Sequence, residues 1–330
     1  MSPDDRAVAV AQTLSLDDVL AARETIAGRL HRTPTFSSAT LGRHTGGSVF
    51  LKAELLQRTG SFKPRGVLNK LASLTDEEKA RGVISISAGN HAQALAYASA
   101  LEGIDALVVM WQTASEMKIA AARGYGATVD TEAPAIPEAF ERLEQLETAT
   151  GRTLVHPYDD PLVMAGQGTV GLEILEDVPE ADVVLVQVGG GGLVSGIATA
   201  VKGLRPDARV VAVEPEQSAA LHESLRAGRS VTVEPRSIAD GLNGPYAGPN
   251  CVGICAALGV ETVLVSEDEL REGFRFLYGR AKLACEVAGA ATTAALLAGR
   301  VVLEPGQTAV AVVSGGNVAP ETAAAILAGR

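Results

Sequence analysis

The sequence predicts an α/β fold of two open, twisted, mainly parallel sheets with helices on both faces. Short β-branched apolar runs recur along almost the whole chain, and helix-length segments separate them; continuous apolar strands joined by helices indicate parallel sheets buried on both sides. No repeat period or low-complexity tract competes with that reading. Ligands of such sheets bind beyond the carboxyl ends of the strands, so strand-end motifs carry the functional signal.

In chain order the expected strands are SVFLK (48–52), GVISIS (82–87), DALVVM (105–110), DVVLVQV (182–188), RVVAVE (209–214), TVLVS (262–266) and TAVAVVS (308–314). All are rich in Val, Ile or Leu. Periodicity places helices near 15–28, 64–74, 91–102, 115–123, 136–149, 166–177, 193–202, 267–280, 287–299 and 319–328. GRTLVHPYDDP (151–161), which holds two prolines and two aspartates, reads as a crossing between two sheet units. LNGPYAGPN (242–250) reads as an ordinary loop, the alternative being a border of the pocket that selects the substrate's side chain.

A formal charge of −11 argues against nucleic acid or an anionic membrane as partner. It leaves room for a small phosphorylated ligand, because backbone N–H groups can hold a phosphate. No stretch reaches the ~18 apolar residues of a membrane span, and MSPDDRAVAV lacks the basic-then-apolar order of a signal peptide. A cytoplasmic location is expected. Cys251 and Cys255 are spaced C-x3-C with no second ligand pair nearby and are read as structural.

Four motifs stand at strand or helix ends. GGGGLVSG (189–196) follows an apolar strand and opens a helix, so its N–H groups suit a phosphate. A dinucleotide fingerprint fits it poorly: Ser195 stands where the third glycine belongs, although Glu214 ends the next strand. SAGNH (87–91) combines a strand end, a turn glycine and Asn90 as a candidate N-cap, and its start suits a carboxylate or phenolic oxygen. VVSGGN (312–317) ends a strand in Ser314. TGSFKPRG (59–66) sets Lys63 at the start of a helix, where the helix dipole disfavours a cation. A lysine nucleophile, a phosphate cradle, an anion-binding helix start and a strand-end serine are what a Schiff base with a phosphorylated aldehyde needs.

From RTPT (32–35) to the C-terminus the sequence resembles the tryptophan-synthase-β-like, fold-type II pyridoxal-phosphate enzymes, in their threonine/serine dehydratase and serine racemase branch. The resemblance is carried in order by KAELLQRTGSFKPRG, SAGNHAQALA, HPYDDPLVMAGQGTVGLEIL, VGGGGLVSGIA, SIADGL, EVAGAA and SGGN. It implies that Lys63 forms the Schiff base with pyridoxal 5′-phosphate and acts as the base at Cα. Phe62 then packs behind the ring, and Asn90 meets its 3-hydroxyl. Gly189, Gly190, Gly191, Gly192 and Leu193 take the phosphate, while Ser314 faces the ring nitrogen. Ser87, Ala88, Gly89, Asn90 and His91 take the substrate carboxylate. A discontinuous large domain (1–59 and 154–330), a small mobile domain (60–153) and a homodimer are implied as well.

The implied reaction removes water from a β-hydroxy amino acid, yielding a 2-oxo acid and ammonia. Threonine, serine, threo-3-hydroxyaspartate, phenylserine and a hydroxyectoine breakdown product all remain compatible. Serine racemases of this branch carry a second serine where this chain has Ala88, so racemisation is expected to be poor. Of the family's divalent-metal positions, Glu214 and Ser218 fit two, and the third is Ala220, so a metal site is not expected to be complete. No regulatory domain is expected after Arg330, which favours a catabolic role.

Overall fold

A computed structural model describes residues 13–329; the segment read above for targeting signals lies mostly in 1–12, outside the described residues. Strands are β1 (Thr35–Ser37), β2 (Ser48–Lys52), β3 (Val83–Ile86), β4 (Ala106–Trp111), β5 (Thr128–Ala133), β6 (Thr153–Leu154), β7 (Val183–Gln187), β8 (Arg209–Pro215), β9 (Glu261–Val265) and β10 (Thr308–Val312). They form a six-stranded sheet ordered β1-β2-β10-β7-β8-β9 and a four-stranded sheet ordered β5-β4-β3-β6. Only the β1–β2 pair is antiparallel. Among the described residues no helix is long and apolar enough to cross a membrane.

Fourteen α-helices cover the sheets: α1 (Leu16–Ile26), α2 (Ala39–Thr45), α3 (Pro64–Ala72), α4 (Asp76–Arg81), α5 (Asn90–Glu102), α6 (Glu116–Gly124), α7 (Ile136–Thr150), α8 (Pro161–Asp177), α9 (Gly192–Leu204), α10 (Ala220–Ala227), α11 (Pro249–Ala257), α12 (Glu267–Phe276), α13 (Ala291–Leu297) and α14 (Pro320–Leu327). All seven expected strands are present. The three that were not expected lack a strong apolar run: β1 and β6 are very short, and β5 (TVDTEA) is a half-exposed edge strand. Among the unexpected helices, α4 buries no side chain and is specified by the Thr75–Glu78 capping box. Helix α11 starts inside the stretch read as a loop, with Pro249 at its first position. Helix α8 begins at Pro161, well before the expected 166, because Asp160 Oδ1 accepts the Leu162 and Val163 amides.

Helix α8 is buried along most of its length and separates α3 from α9. Its AGQGTVG stretch (165–171) brings backbones together. A Cβ on Gly166 would stand 2.4 Å from the Arg65 carbonyl, and one on Gly66 2.4 Å from Gln167 Nε2. On the α9 side, a Cβ on Gly196 would lie 2.2 Å from the Met164 carbonyl. Only glycine fits at these crossings.

A buried ionic cluster ties the same helices to the six-stranded sheet. Arg65, 2% exposed, donates Nε to Glu54 Oε2 and Nη2 to Glu54 Oε1, both at 2.8 Å, and Nη1 to Glu173 Oε1 at 2.7 Å. Lys52, buried on β2, reaches Glu173 Oε2 at 2.7 Å. Burial pushes the Glu173 carboxyl up, but Arg65 and Lys52 hold it below the ordinary glutamate value. Replacing Arg65→Met leaves Glu54 buried without a counter-charge, and we expect a loss of about 3–5 kcal/mol. The overpacked Gly166→Ala should cost about 1–3 kcal/mol. Urea unfolding of both variants beside the parent checks these values.

Candidate active site

The carboxyl ends of β3, β4, β7 and β10 border a cavity of about 780 Å³. Phe62, Lys63, residues 87–91, residues 189–193 and Ser314 all line it. Motifs that span some 250 positions of sequence thus open into one space.

Lys63 is the residue before Pro64, which opens α3. Its ammonium escapes the unfavourable helix dipole in two ways. Nζ donates to the Pro157 carbonyl at 2.7 Å and lies 5.1 Å from the Phe62 ring centroid. Burial brings its pKa down to about 8 against the opposing pull of Glu286, so the neutral, nucleophilic amine is accessible near neutral pH. The preceding turn is anchored to the chain after β10: the Phe62 amide donates to the Ser314 carbonyl at 3.1 Å.

The glycine loop joins β7 to α9. Among the described residues, no protein acceptor receives the amides of Gly189 to Leu193. They gather at the N-terminus of a 13-residue helix, where partial positive charge accumulates. Packing demands several of these glycines independently of any ligand. A Cβ on Gly190 would stand 2.3 Å from the Tyr158 ring, one on Gly192 2.7 Å from the Tyr158 carbonyl, and Gly191 has φ +102°. Tyr158 and the Pro157 carbonyl, in a segment read as a crossing and as a family motif but given no site role, therefore help to shape the site.

The second helix start, at α5, differs from expectation in one respect. Asn90 was the candidate N-cap, but Gly89 occupies that position and makes no side-chain cap. The Asn90 carboxamide is engaged elsewhere: Nδ2 donates to Glu286 Oε1 at 2.7 Å, and Oδ1 accepts from Asn317 Nδ2 at 2.8 Å. Sequence reasoning assigns neither partner a role, although both lie in quoted motifs, EVAGAA (where Glu286 is retained beside Val287) and SGGN. The Ser87 amide pairs with the Val109 carbonyl and the Gly89 amide with Ser87 Oγ. The amides of Ala88, Asn90 and His91 have no protein acceptor among the described residues and can bind a carboxylate. His91 is buried; its Nε2 meets the Val155 carbonyl at 3.0 Å. Burial and the neighbouring Lys63 lower its pKa to about 3, so its imidazole is neutral.

Ser314 follows β10. The Gln187 carboxamide at the end of β7, oriented by the donors around it, accepts Ser314 Oγ at 2.5 Å and the Ser314 amide at 2.8 Å. Burial and Asp240 push Glu286 up to about 7, with Asn90 pulling the other way. Glu214 and Ser218 lie outside the cavity lining. Both oxygens of Glu214 accept backbone amides at the start of α10, from Leu221 and His222 at 2.8 Å each. Ser218 Oγ donates to the Leu242 carbonyl at 2.8 Å. Glu214 therefore caps a helix, which also accounts for an acid at the end of β8. Among the described residues, no group of three or more His, Cys, Asp or Glu side chains is arranged to hold a metal ion. Cys251, Cys255 and Cys285 are buried free thiols.

Unpaired amides at a helix start, beside a lysine of lowered pKa, suit a group that carries both a phosphate and an aldehyde. Comparisons with known proteins agree. Residues 26–315 match the family model "Pyridoxal-phosphate dependent enzyme". The L-threonine ammonia-lyase of Thermotoga maritima is 42% identical over 306 residues, covering 92% of this chain and 76% of the relative. The catabolic L-threonine dehydratase of Staphylococcus aureus is 44% identical over 313 residues, covering 93% of this chain and 90% of the relative. Maize serine racemase superimposes with a TM-score of 0.90 at 33% identity, over 94% of this chain and 95% of that one. The chain belongs to the pyridoxal-phosphate dependent enzymes.

Proposed function

We propose that this enzyme removes water from a β-hydroxy amino acid, L-threonine foremost and L-serine second, releasing a 2-oxo acid and ammonia. The observation that carries this is the meeting of Lys63 with two helix starts whose amides are unpaired, one suited to a phosphate and one to a carboxylate. The threonine ammonia-lyase and dehydratase relatives support the same reading.

Bound pyridoxal phosphate supplies an electrophilic aldehyde carbon and an electron-withdrawing ring that acidifies Cα–H of an attached amino acid. The amides of Gly189 to Leu193 would hold its phosphate, Asn90 would meet its ring oxygen, and Phe62 would pack behind the ring. Ser314 would offer the ring nitrogen a neutral partner, a setting that would favour prompt loss of a β-substituent. The amides of Ala88, Asn90 and His91, within the 87–91 turn, hold the substrate carboxylate. Lys63 Nζ takes the Cα proton, and its conjugate acid can protonate the departing β-hydroxyl. Cα thus loses a proton and Cβ a hydroxide. Hydrolysis of the released unsaturated amine returns the water and frees ammonia.

Within the small unit (60–153) we place the carboxylate turn and the four-stranded sheet as the mobile part, while α3 is held against α8 by the glycine crossings and by Arg65. The pairing of Leu154 with Ile84 supports drawing its boundary one residue later. The family resemblance supports a homodimer, which light scattering reads directly.

Purified enzyme loaded with cofactor should release 2-oxobutanoate from L-threonine, and Lys63→Ala should lower that rate by about a thousandfold or more. No 2-oxo acid from threonine or serine, with cofactor bound, would refute the proposal. Racemisation is the second reading, motivated by the maize structure. Chiral chromatography of L-serine reactions should show pyruvate far exceeding D-serine, since Ala88 has no hydroxyl to serve the far face of Cα; D-serine formed as fast as pyruvate would favour the racemase. Capture of cofactor by the apoprotein depends on neutral Lys63, so its rate should climb with pH around a midpoint of about 8, as read by stopped-flow absorbance.

A further inference from the structure

Four separated stretches of chain meet at the Asn90 carboxamide. Asn317 Nδ2, which donates to Asn90 Oδ1, also donates to the Thr59 carbonyl at 2.7 Å. Glu286, which accepts from Asn90 Nδ2, has its own amide on the Gly315 carbonyl at 3.0 Å. Both partners are therefore anchored to backbone.

Space for this arrangement is built into the chain. A Cβ on Gly315 would stand 2.4 Å from Glu286 Oε1 and 3.1 Å from Asn90 Nδ2. A Cβ on Gly60 would stand 2.6 Å from Asn317 Oδ1. Thr59 and Gly60 hold left-handed backbone, with φ 59° and 74°. For a β-branched threonine that conformation is strained, and it persists only where neighbours over-determine it.

A free carboxamide can turn over, exchanging oxygen for nitrogen at almost constant shape. Turned over, Asn90 would set its oxygen against Glu286 and its NH₂ against the NH₂ of Asn317. The Asn317 contact is repulsive at any pH and the Glu286 contact whenever its carboxyl is ionised, so the observed orientation is held. In it one Nδ2–H is committed to Glu286 and a second remains, on a residue that lines the cavity.

We propose that Glu286 and Asn317 are positioning residues that lock Asn90 so that its remaining Nδ2–H is offered to the ring oxygen of bound pyridoxal phosphate. This rests on reading Asn90 as the contact to that oxygen. It does not depend on which amino acid is the substrate.

The test is titration of apoprotein variants with pyridoxal phosphate, reading affinity and the visible absorption band. Asn90→Ala should weaken binding about tenfold and shift the band; no change would refute the Asn90 contact itself. Glu286→Ala and Asn317→Ala should each weaken binding several-fold and shift the band in the same direction. In an Asn90→Ala background, read well above pH 8 so that the pull of Glu286 on Lys63 drops out, each should cost far less than in the parent, because both act through Asn90. Losses that simply add would overturn the lock while leaving the Asn90 contact standing. Glu286→Gln keeps an accepting oxygen and should recover most of the affinity lost in Glu286→Ala; no recovery would also overturn it. Circular dichroism of each apoprotein verifies folding, and if Glu286→Ala does not fold, the Asn317–Asn90 cycle decides alone.

Discussion

The backbone-to-backbone approach of α3, α8 and α9 is the constraint on which the site depends. Lys63 precedes α3 and the glycine loop precedes α9, so α8 sets the distance between the amine and the phosphate-sized cradle. Gly66, Gly166 and Gly196 leave no room for a side chain at these crossings. Added bulk would separate the helices and move their starts with them. Arg65, two residues beyond Lys63, fastens the same region to Glu54 and Glu173 with charge-assisted hydrogen bonds. Steric closeness and ionic anchoring thus act on one short stretch.

Within that frame the site works through desolvation balanced by fixed dipoles. Burial lowers Lys63 and raises Glu286, so both titrate near neutral pH although one is a base and the other an acid. Two helix starts leave backbone amides open to the cavity, and such amides can bind phosphate or carboxylate while carrying no net charge. An enzyme with a formal charge of −11 can bind anions this way without a cationic surface. Ser314 and Gln187 extend the same economy: the group placed at the end of β10 is neutral and is held by another neutral group.

Glycine has two separate uses here. In GGGG, Gly190 and Gly192 are excluded from carrying a side chain by Tyr158, a residue more than 30 positions earlier, as well as by the need to expose amides. In SGGN, Gly315 makes room for Glu286 beside Asn90. Ligand-facing chemistry and packing select the same residue type, which is why motif reading alone does not separate them.

The sequence by itself determined the α/β class, the seven strongest strands and the short stretches that face the cavity, because apolar period and strand-end glycines are local signals. It missed β1, β5 and β6, whose few or polar residues carry no such period, and the start of α8, where a cap and a proline resembled a loop. Tertiary structure alone decided that Asn90 is no N-cap, since Glu286 and Asn317 arrive from segments some 200 positions away. It likewise decided that Glu214 caps α10 and that Tyr158 fills the space beside the glycine loop. Hydrogen-bond partners distant in sequence leave no periodic trace, so only the folded chain could reveal them.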